Sequence, residues 1–106
     1  MTILTKHKKE LESACSNYNV DKLYAFGSVL TNEFNQDSDL DFIVSIISTD
    51  PLEYAENYFS LKFELERIFE RKIDLLEQKA IRNRVFEDMV NRKKVLLYAR
   101  RSQSMA

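Results

Sequence analysis

Two short motifs in the first half of the chain combine residue types that bind phosphate and metal. Gly27-Ser28 follows one apolar run, and Asp39-Leu40-Asp41 opens a second after ten intervening residues. A glycine after a strand lets the backbone approach a phosphate closely, and Ser28 adds a hydroxyl donor. Side chains two apart on a strand point to the same face, so Asp39 and Asp41 are predicted to project together. Such a pair suits Mg²⁺, which prefers oxygen ligands and keeps places for phosphate oxygens and water.

A third carboxylate lies inside a later apolar run, Ile73-Asp74-Leu75-Leu76. A charge within such a strand is costly unless it faces a partner or the edge of the sheet. If this strand lies beside the one that carries Asp41, three carboxylates converge and can hold two metal ions, as in phosphoryl or nucleotidyl transfer. The plainer alternatives are a solvated strand start for the first pair and, for Asp74, an ion pair with Arg71 or Lys72.

Hydrophobic patterning predicts the strands and helices that must position these side chains. The predicted strands are Val20–Phe26, Leu40–Ile47, Lys72–Leu76 and Val95–Tyr98, and the predicted helices are 5–17, 51–70 and 79–91. Asp50 and Pro51 are typical of a helix start. The aromatic residues of the long helix, Tyr54, Tyr58, Phe59 and Phe63, are predicted to be core first and a docking surface for a partner second.

The order of elements indicates an α+β class, a mixed α/β arrangement. We expect residues 1–106 to form one domain, with residues from about 100 onward as a frayed tail.

Composition restricts the classes of protein that the chain can belong to. Its formal net charge is −1 with both signs mixed, whereas a general nucleic-acid binder normally carries a basic excess. Cys15 is the single cysteine, which excludes an intrachain disulfide and indicates a reducing compartment. The chain lacks an apolar run of about 18 residues, and Met1–Glu12 lacks the apolar stretch of a signal peptide. We therefore expect a cytoplasmic protein without direct nucleic-acid or membrane binding.

Gly27-Ser28, the spacing to Asp39-Leu40-Asp41, and Asp74 on a later strand together resemble the minimal nucleotidyltransferase family of the DNA polymerase beta-like superfamily. The resemblance implies the polymerase beta-like fold, a small mixed sheet flanked by helices. It also implies Mg²⁺-dependent transfer of a nucleoside monophosphate, most often from ATP, to an acceptor hydroxyl. By position, Gly27 and Ser28 would contact the triphosphate. The three aspartates would be catalytic and hold one or two Mg²⁺ ions, and Asp74 would also help to deprotonate the acceptor.

The resemblance implies a protein partner as well. Stand-alone members of this length are often antitoxins, encoded beside a helical HEPN-domain toxin whose tyrosine they can AMPylate. Since the acceptor-binding domain of larger members is absent from this chain, we expect a partner protein to supply the acceptor. The alternative is a binding module that neutralises a toxin by contact with weak or no catalysis, and transfer to a small molecule is a more distant option. The sequence leaves the acceptor, the base preference and homo-oligomerisation open.

The chain departs from the family pattern in its distribution of positive charge. Many relatives carry an arginine a few residues after the Gly-Ser pair, whereas this chain continues Val29-Leu30-Thr31-Asn32, and no Lys or Arg occurs between Lys22 and Lys62. The same stretch is rich in Asp and Glu, so we expect triphosphate binding to depend on metal. The candidate cations elsewhere are Lys22, Arg82, Arg84 and Lys93, and the sequence does not choose among them.

Overall fold

A four-stranded mixed sheet organises the computed structural model, which describes residues 2–100. Its strands are β1 (Val20–Phe26), β2 (Leu40–Ile46), β3 (Ile73–Glu77) and β4 (Val95–Ala99). They lie in the order β3-β2-β1-β4, with β1 antiparallel to both β2 and β4 and with β2 parallel to β3. The architecture is α+β, as the sequence predicts.

The helices are α1 (Thr2–Lys6), α2 (Lys8–Asn17), α3 (Pro51–Phe69) and α4 (Arg84–Lys93). Single 3-10 turns follow β1 at Gly27–Leu30 and β3 at Gln78–Ala80. Two parallel neighbours need a long crossover, and α3 is the crossover that brings β3 alongside β2. No helix within residues 2–100 combines the length and the apolar composition that crossing a membrane requires.

Alternation along the strands gives the sheet one closed face and one partly open face. Leu40, Phe42 and Val44 of β2 are fully buried in the main core, together with Leu61 and Leu65 of α3. The residues between them on β2 point to the opposite face, because successive side chains of a strand alternate. This second face is partly covered by α4, and it is the face on which the candidate site lies.

Most predicted element boundaries agree with the structure, but the last helix is wrong at its start. The segment from residue 79 forms a 3-10 turn first, and α4 begins only at Arg84. The reason is a cap, because the Asn83 side chain accepts a hydrogen bond from the Phe86 amide at 2.9 Å and defines the first turn there. Likewise Asp50 accepts from the Leu52 amide at 3.1 Å at the start of α3.

Both ends of the chain also differ from the prediction. The first helix begins at Thr2 rather than Thr5, and it is interrupted at His7 between α1 and α2. At the other end the Arg100 amide donates to the Asp21 carbonyl at 2.7 Å, so this residue continues the sheet rather than a tail. The remainder of the predicted tail, residues 101–106, lies outside the described residues.

The prediction that the aromatic group on α3 belongs first to the core is wrong for two of its four members. Phe59 is 54% exposed and Phe63 is 66% exposed, and Leu52 beside them is 70% exposed. Helical periodicity places these three side chains on the side opposite Leu61 and Leu65, which face the sheet. Their apolar stripe therefore faces outward, while Tyr54 and Tyr58 pack against the core.

Tyr58 fastens α3 to the strand that carries Asp74. Its hydroxyl donates a hydrogen bond to the carbonyl of Leu75, with 2.5 Å between the oxygens. Since Leu75 is buried on the core face of β3, the bond sets the height of the helix against the strand.

We expect Tyr58→Phe to lower the free energy of unfolding by about 1 kcal/mol, because the substitution removes this hydrogen bond and leaves the ring in place. Urea unfolding provides the measurement. Tyr18→Phe is the matched control, since Tyr18 is also a half-buried tyrosine packed on the core. A loss in the control as large as that in Tyr58→Phe would contradict the assigned role of the bond.

Candidate active site

Three side chains form a row across the partly open face of the sheet. Asp74 of β3 pairs in register with Asp41 of β2, and Asp41 pairs with Phe26 at the end of β1. Paired residues on neighbouring strands lie on the same face, about 4.8 Å apart from strand to strand. The β3 strand thus lies beside β2 and brings Asp74 next to Asp41. This arrangement is the condition under which the carboxylates were predicted to converge.

Asp41 and Asp74 interact directly. Burial is the main cause that raises the pKa of Asp41 to about 6, followed by a side-chain hydrogen bond to Asp74 and by the negative charges of Asp74 and Asp39. Two adjacent carboxylates cannot both ionise without repulsion, so Asp41 takes up a proton at mildly acidic pH, around its raised pKa. An oxygen-lined position that takes up a proton in this way also suits a cation.

Asp39 lies near the pair but is turned toward a different partner. Its Oδ2 atom is 3.9 Å from the Lys72 ammonium, and both side chains are substantially exposed. The pair predicted to project together is therefore only partly assembled, because Asp39 lies just before β2 begins and escapes the strict alternation of the strand. A long ion pair between exposed groups is weak, so Asp39 can exchange Lys72 for another cation at little cost.

Gly27 lies directly against Asp41. Its φ of 82° is in the left-handed region, and a Cβ atom built there would overlap Asp41 Oδ2 and lie 3.2 Å from Asp41 Cγ. Any larger residue would be strained by the backbone and would also displace the carboxylate. Glycine is therefore required by both the turn and the site.

Ser28 lies in the single 3-10 turn, Gly27–Leu30, that follows β1. The Ser28 carbonyl accepts hydrogen bonds from the amide and the hydroxyl of Thr31, each at 2.9 Å. These two bonds close the turn and hold Ser28 next to Gly27. The turn that carries Ser28 therefore lies beside Asp41, and the contact of Gly27 and Ser28 with a triphosphate stays a prediction.

Arg71 holds the loop between the two motifs, a role that sequence reasoning missed. Its Nη1 donates to the carbonyls of Asn35 at 3.1 Å and Ser38 at 2.9 Å, and its guanidinium lies over the Phe34 ring at 4.8 Å. Arg71 is thus engaged with the loop that leads into Asp39, in contrast to the alternative that paired it with Asp74. No sequence pattern indicates this contact, because the partners are more than 30 residues apart.

The donor set fits Mg²⁺ although it is not preassembled. Within residues 2–100, no group of three or more His, Cys, Asp or Glu side chains is arranged to hold a metal ion. Asp41 and Asp74 nevertheless offer adjacent carboxylate oxygens of the kind Mg²⁺ binds, and Mg²⁺ commonly takes only one or two protein carboxylates beside phosphate and water. These two residues would hold the ion, with Asp39 joining after it leaves Lys72.

Comparison with known proteins establishes the family. The family model for polymerase beta nucleotidyltransferases matches residues 9–103, which is nearly the whole chain. The chain therefore belongs to the polymerase beta-like nucleotidyltransferase family, and the resemblance drawn from the two motifs is confirmed.

Two relatives of the chain occur in the archaeon Methanocaldococcus jannaschii. The chain is 38% identical over 79 residues to MJ1215, covering 74% of this chain and 85% of that protein. It is 36% identical over 81 residues to MJ1379, covering 76% of this chain and 77% of that protein. Both relatives carry the provisional name of protein adenylyltransferase. The chain is thus similar over about three quarters of its length to proteins that carry this name.

Solved structures confirm the fold. A structure described as a minimal nucleotidyltransferase superposes with a TM-score of 0.71 at 24% identity, covering 87% of this chain and 90% of that one. A toxin–antitoxin structure with AMP-PNP gives a TM-score of 0.66 at 19% identity, covering 92% of this chain and 76% of that one. A third, the MntA–HepT toxin–antitoxin, gives 0.61 at 17% identity, covering 91% and 73%. The polymerase beta-like nucleotidyltransferase fold is thereby shown.

We expect Gly27→Ala to lower the free energy of unfolding by about 2 kcal/mol, because it adds backbone strain and the overlap with Asp41. A double-mutant cycle with Asp41→Ala separates the two causes, since removal of the carboxylate relieves the overlap but not the strain. Chemical denaturation of the four proteins gives the coupling energy. If the two substitutions prove additive, the close approach of Gly27 to Asp41 is refuted.

The carboxylate pair also predicts a pH-dependent gain in stability for Asp41→Asn. A folded-state pKa near 6, above the usual 3.8, means that the contribution of Asp41 to stability is lost as pH rises through about 6. An Asn amide donates to Asp74 at any pH, so the variant should be more stable than the wild type by about 1 kcal/mol at pH 8, after allowance for solvent screening. The gain should shrink toward pH 4. Melting temperatures across this range test it, with Asp88→Asn on the exposed side of α4 as the control for the same change in charge.

Proposed function

We propose that this protein transfers the AMP part of ATP, with Mg²⁺, to a hydroxyl group of a partner protein, and that the partner is a HEPN-domain toxin for which this chain is the antitoxin. The observation that carries the proposal is the pairing of Asp41 with Asp74 opposite Gly27. Adjacent carboxylates facing a glycine turn are what nucleotidyl transfer requires, because metal and phosphate must meet there.

Each residue of the site has a part in this proposal. Asp41, Asp74 and Asp39 would hold Mg²⁺, which when bound supplies the positive charge that a triphosphate needs beside three aspartates. Gly27 lets the turn lie against the Asp41 carboxylate, which would bring the backbone of the turn close to the metal and the phosphates, and Ser28 offers its hydroxyl. Asp74 is exposed on the edge strand β3, where an acceptor can reach it, and its carboxylate is placed to take the proton of the acceptor hydroxyl.

The comparisons support the nucleotide and the partner. The relatives named above are called protein adenylyltransferases, and two of the similar structures are toxin–antitoxin proteins, one of them with AMP-PNP. The absence of Lys and Arg from residues 23–61, the stretch that carries Gly27-Ser28, Asp39 and Asp41, supports the requirement for metal.

A second candidate function is neutralisation by contact alone. It is favoured by the outward stripe of Leu52, Phe59 and Phe63 on α3, because exposed apolar surface of this kind often marks a protein interface. In that case the chain would mask its partner, and loss of the carboxylates would leave neutralisation intact.

The test is transfer of label from α-labelled ATP to the proposed partner, the protein encoded beside this chain. We expect Mg²⁺-dependent labelling that falls at least about 100-fold in Asp41→Asn and in Asp74→Asn, because each substitution removes a charge that acts on the transferring phosphate. Asp88→Asn should label normally. Labelling that is unchanged in both site variants would refute the catalytic proposal.

Two further arms separate the alternatives. γ-Labelled ATP should transfer no label, because nucleotidyl transfer releases the β- and γ-phosphates together, and transfer of this label would indicate a kinase instead. Growth rescue of cells that express the partner then distinguishes catalysis from masking. If Asp41→Asn rescues growth as well as the wild type does, neutralisation acts through contact.

A further inference from the structure

A cavity of about 410 Å³ opens beside Gly27, between the 3-10 turn and α4. Phe26, Leu30 and Met89 give it mostly apolar walls, and Lys93 adds a cation. Binding sites for small molecules typically have volumes of roughly 300–1,000 Å³ and combine apolar walls with a few polar groups. The size and lining of this cavity are thus those of a ligand site.

The cavity lies beside the carboxylate pair, because its wall residue Phe26 is on the strand next to Asp41. Phe26 is the strand neighbour of Asp41, and Asp41 is the strand neighbour of Asp74. At about 4.8 Å per strand, the cavity begins one strand away from Asp41 and two strands away from Asp74. A ligand with phosphates at the aspartates can therefore reach the cavity with its other end.

Gly27 connects charges of both signs, because it lies against Asp41 and lines the cavity together with Lys93. The neighbouring Lys94 is already committed, because its Nζ lies 4.0 Å from the centre of the Tyr24 ring and 3.2 Å from Gln78 Oε1. Burial, and the positive charge of the nearby Lys22, also lower the pKa of the Lys94 ammonium. The side-chain ammonium of Lys93, by contrast, makes no hydrogen bond or ion pair with any of residues 2–100.

The other candidate cations lie elsewhere. Lys22 pairs with Ser45 and Ala99, four residues before Phe26, which is about 13 Å along β1. Arg84 begins α4, about 13 Å along the helix axis from Lys93, and Arg82 precedes it. Only Lys93 of the four lines the cavity beside Gly27.

We propose that this cavity is the nucleoside pocket of the site, and that Lys93 supplies to the phosphate chain the positive charge that the Gly27-Ser28 turn lacks. The inference rests on the proposed nucleotide transfer and assigns its nucleotide-binding residues. Phe26, Leu30 and Met89 offer apolar surface to the base, and the ammonium of Lys93 reaches the phosphates from α4.

Calorimetry with two ligands, ATP and inorganic tripolyphosphate, each with Mg²⁺, tests the role of Lys93. Lys93→Met should weaken both ligands about tenfold, because both lose a contact between an ammonium and a phosphate. Lys93→Arg should bind both ligands nearly as the wild type does. Arg92→Met is the matched control, since it removes the same charge one residue away on α4, and it should change neither affinity.

A second pair of variants tests the pocket for the base. Met89→Trp should fill the cavity and weaken ATP about tenfold while leaving tripolyphosphate unchanged. Val85→Trp, one turn earlier on α4 at a position that is 79% exposed and outside this cavity, should affect neither ligand.

The outcomes separate this inference from the proposed function. If the wild type binds neither ligand with Mg²⁺, the proposed function fails and the inference fails with it. If the wild type binds both and Lys93→Met does so equally well, the role of Lys93 is overturned while the proposed function stands. If Met89→Trp weakens both ligands equally or neither, the cavity is not the nucleoside pocket.

Discussion

The approach of Asp41 to Asp74 is the constraint on which the rest of the structure depends. Two carboxylates come together here because β2 and β3 run parallel in register, and parallel neighbours require a crossover. Helix α3 provides that crossover, with its start defined by Asp50 and its packing on β3 fixed by Tyr58. The longest helix of the chain thus serves a contact between two side chains that repel one another when both are ionised.

That repulsion makes the site a locally unfavourable part of a stable fold. Burial raises the pKa of Asp41, and the absence of a Cβ at Gly27 lets the turn lie against the same carboxylate. The main core lies on the other face of the sheet, where Leu40 and Phe42 are fully buried. Because adjacent residues of β2 point to opposite faces, the same seven-residue strand supplies both the core and the site. The residues that stabilise the core and the residue that belongs to the candidate site therefore lie on opposite faces of one strand.

The features that could be predicted from the sequence were those set by local periodicity. The strand β1 has the predicted bounds, and Asp74 lies beside Asp41 because both occur in strands of recognisable pattern. The remaining features depend on contacts between distant residues. Whether Phe59 faces inward depends on which side of α3 meets the sheet, and the late start of α4 depends on one side-chain cap at Asn83.

The same limit applied to the site itself. Asp39 and Asp41 were predicted to project together, but Asp39 lies outside the regular strand. Its ion-pair partner Lys72 is 33 positions further along the chain. Arg71, the neighbour of that lysine, holds the loop through backbone carbonyls, which no side-chain motif can indicate. Carboxylates with a strong strand pattern could be identified in advance, whereas the cations around them could not.

This difference has a physical origin that bears on how the site is built. The carboxylates must lie within a few ångströms of each other, so they need the fixed spacing of paired strands. A cation that attracts a triphosphate acts over a longer range and is carried by a flexible side chain. Several elements of the fold can therefore supply it. In this chain the 3-10 turn Gly27–Leu30 carries no cation, and α4 places Lys93 at the cavity beside it. The cationic residue can therefore lie on a helix late in the sequence instead of in the motif, without any change in the strands that hold Asp41 and Asp74.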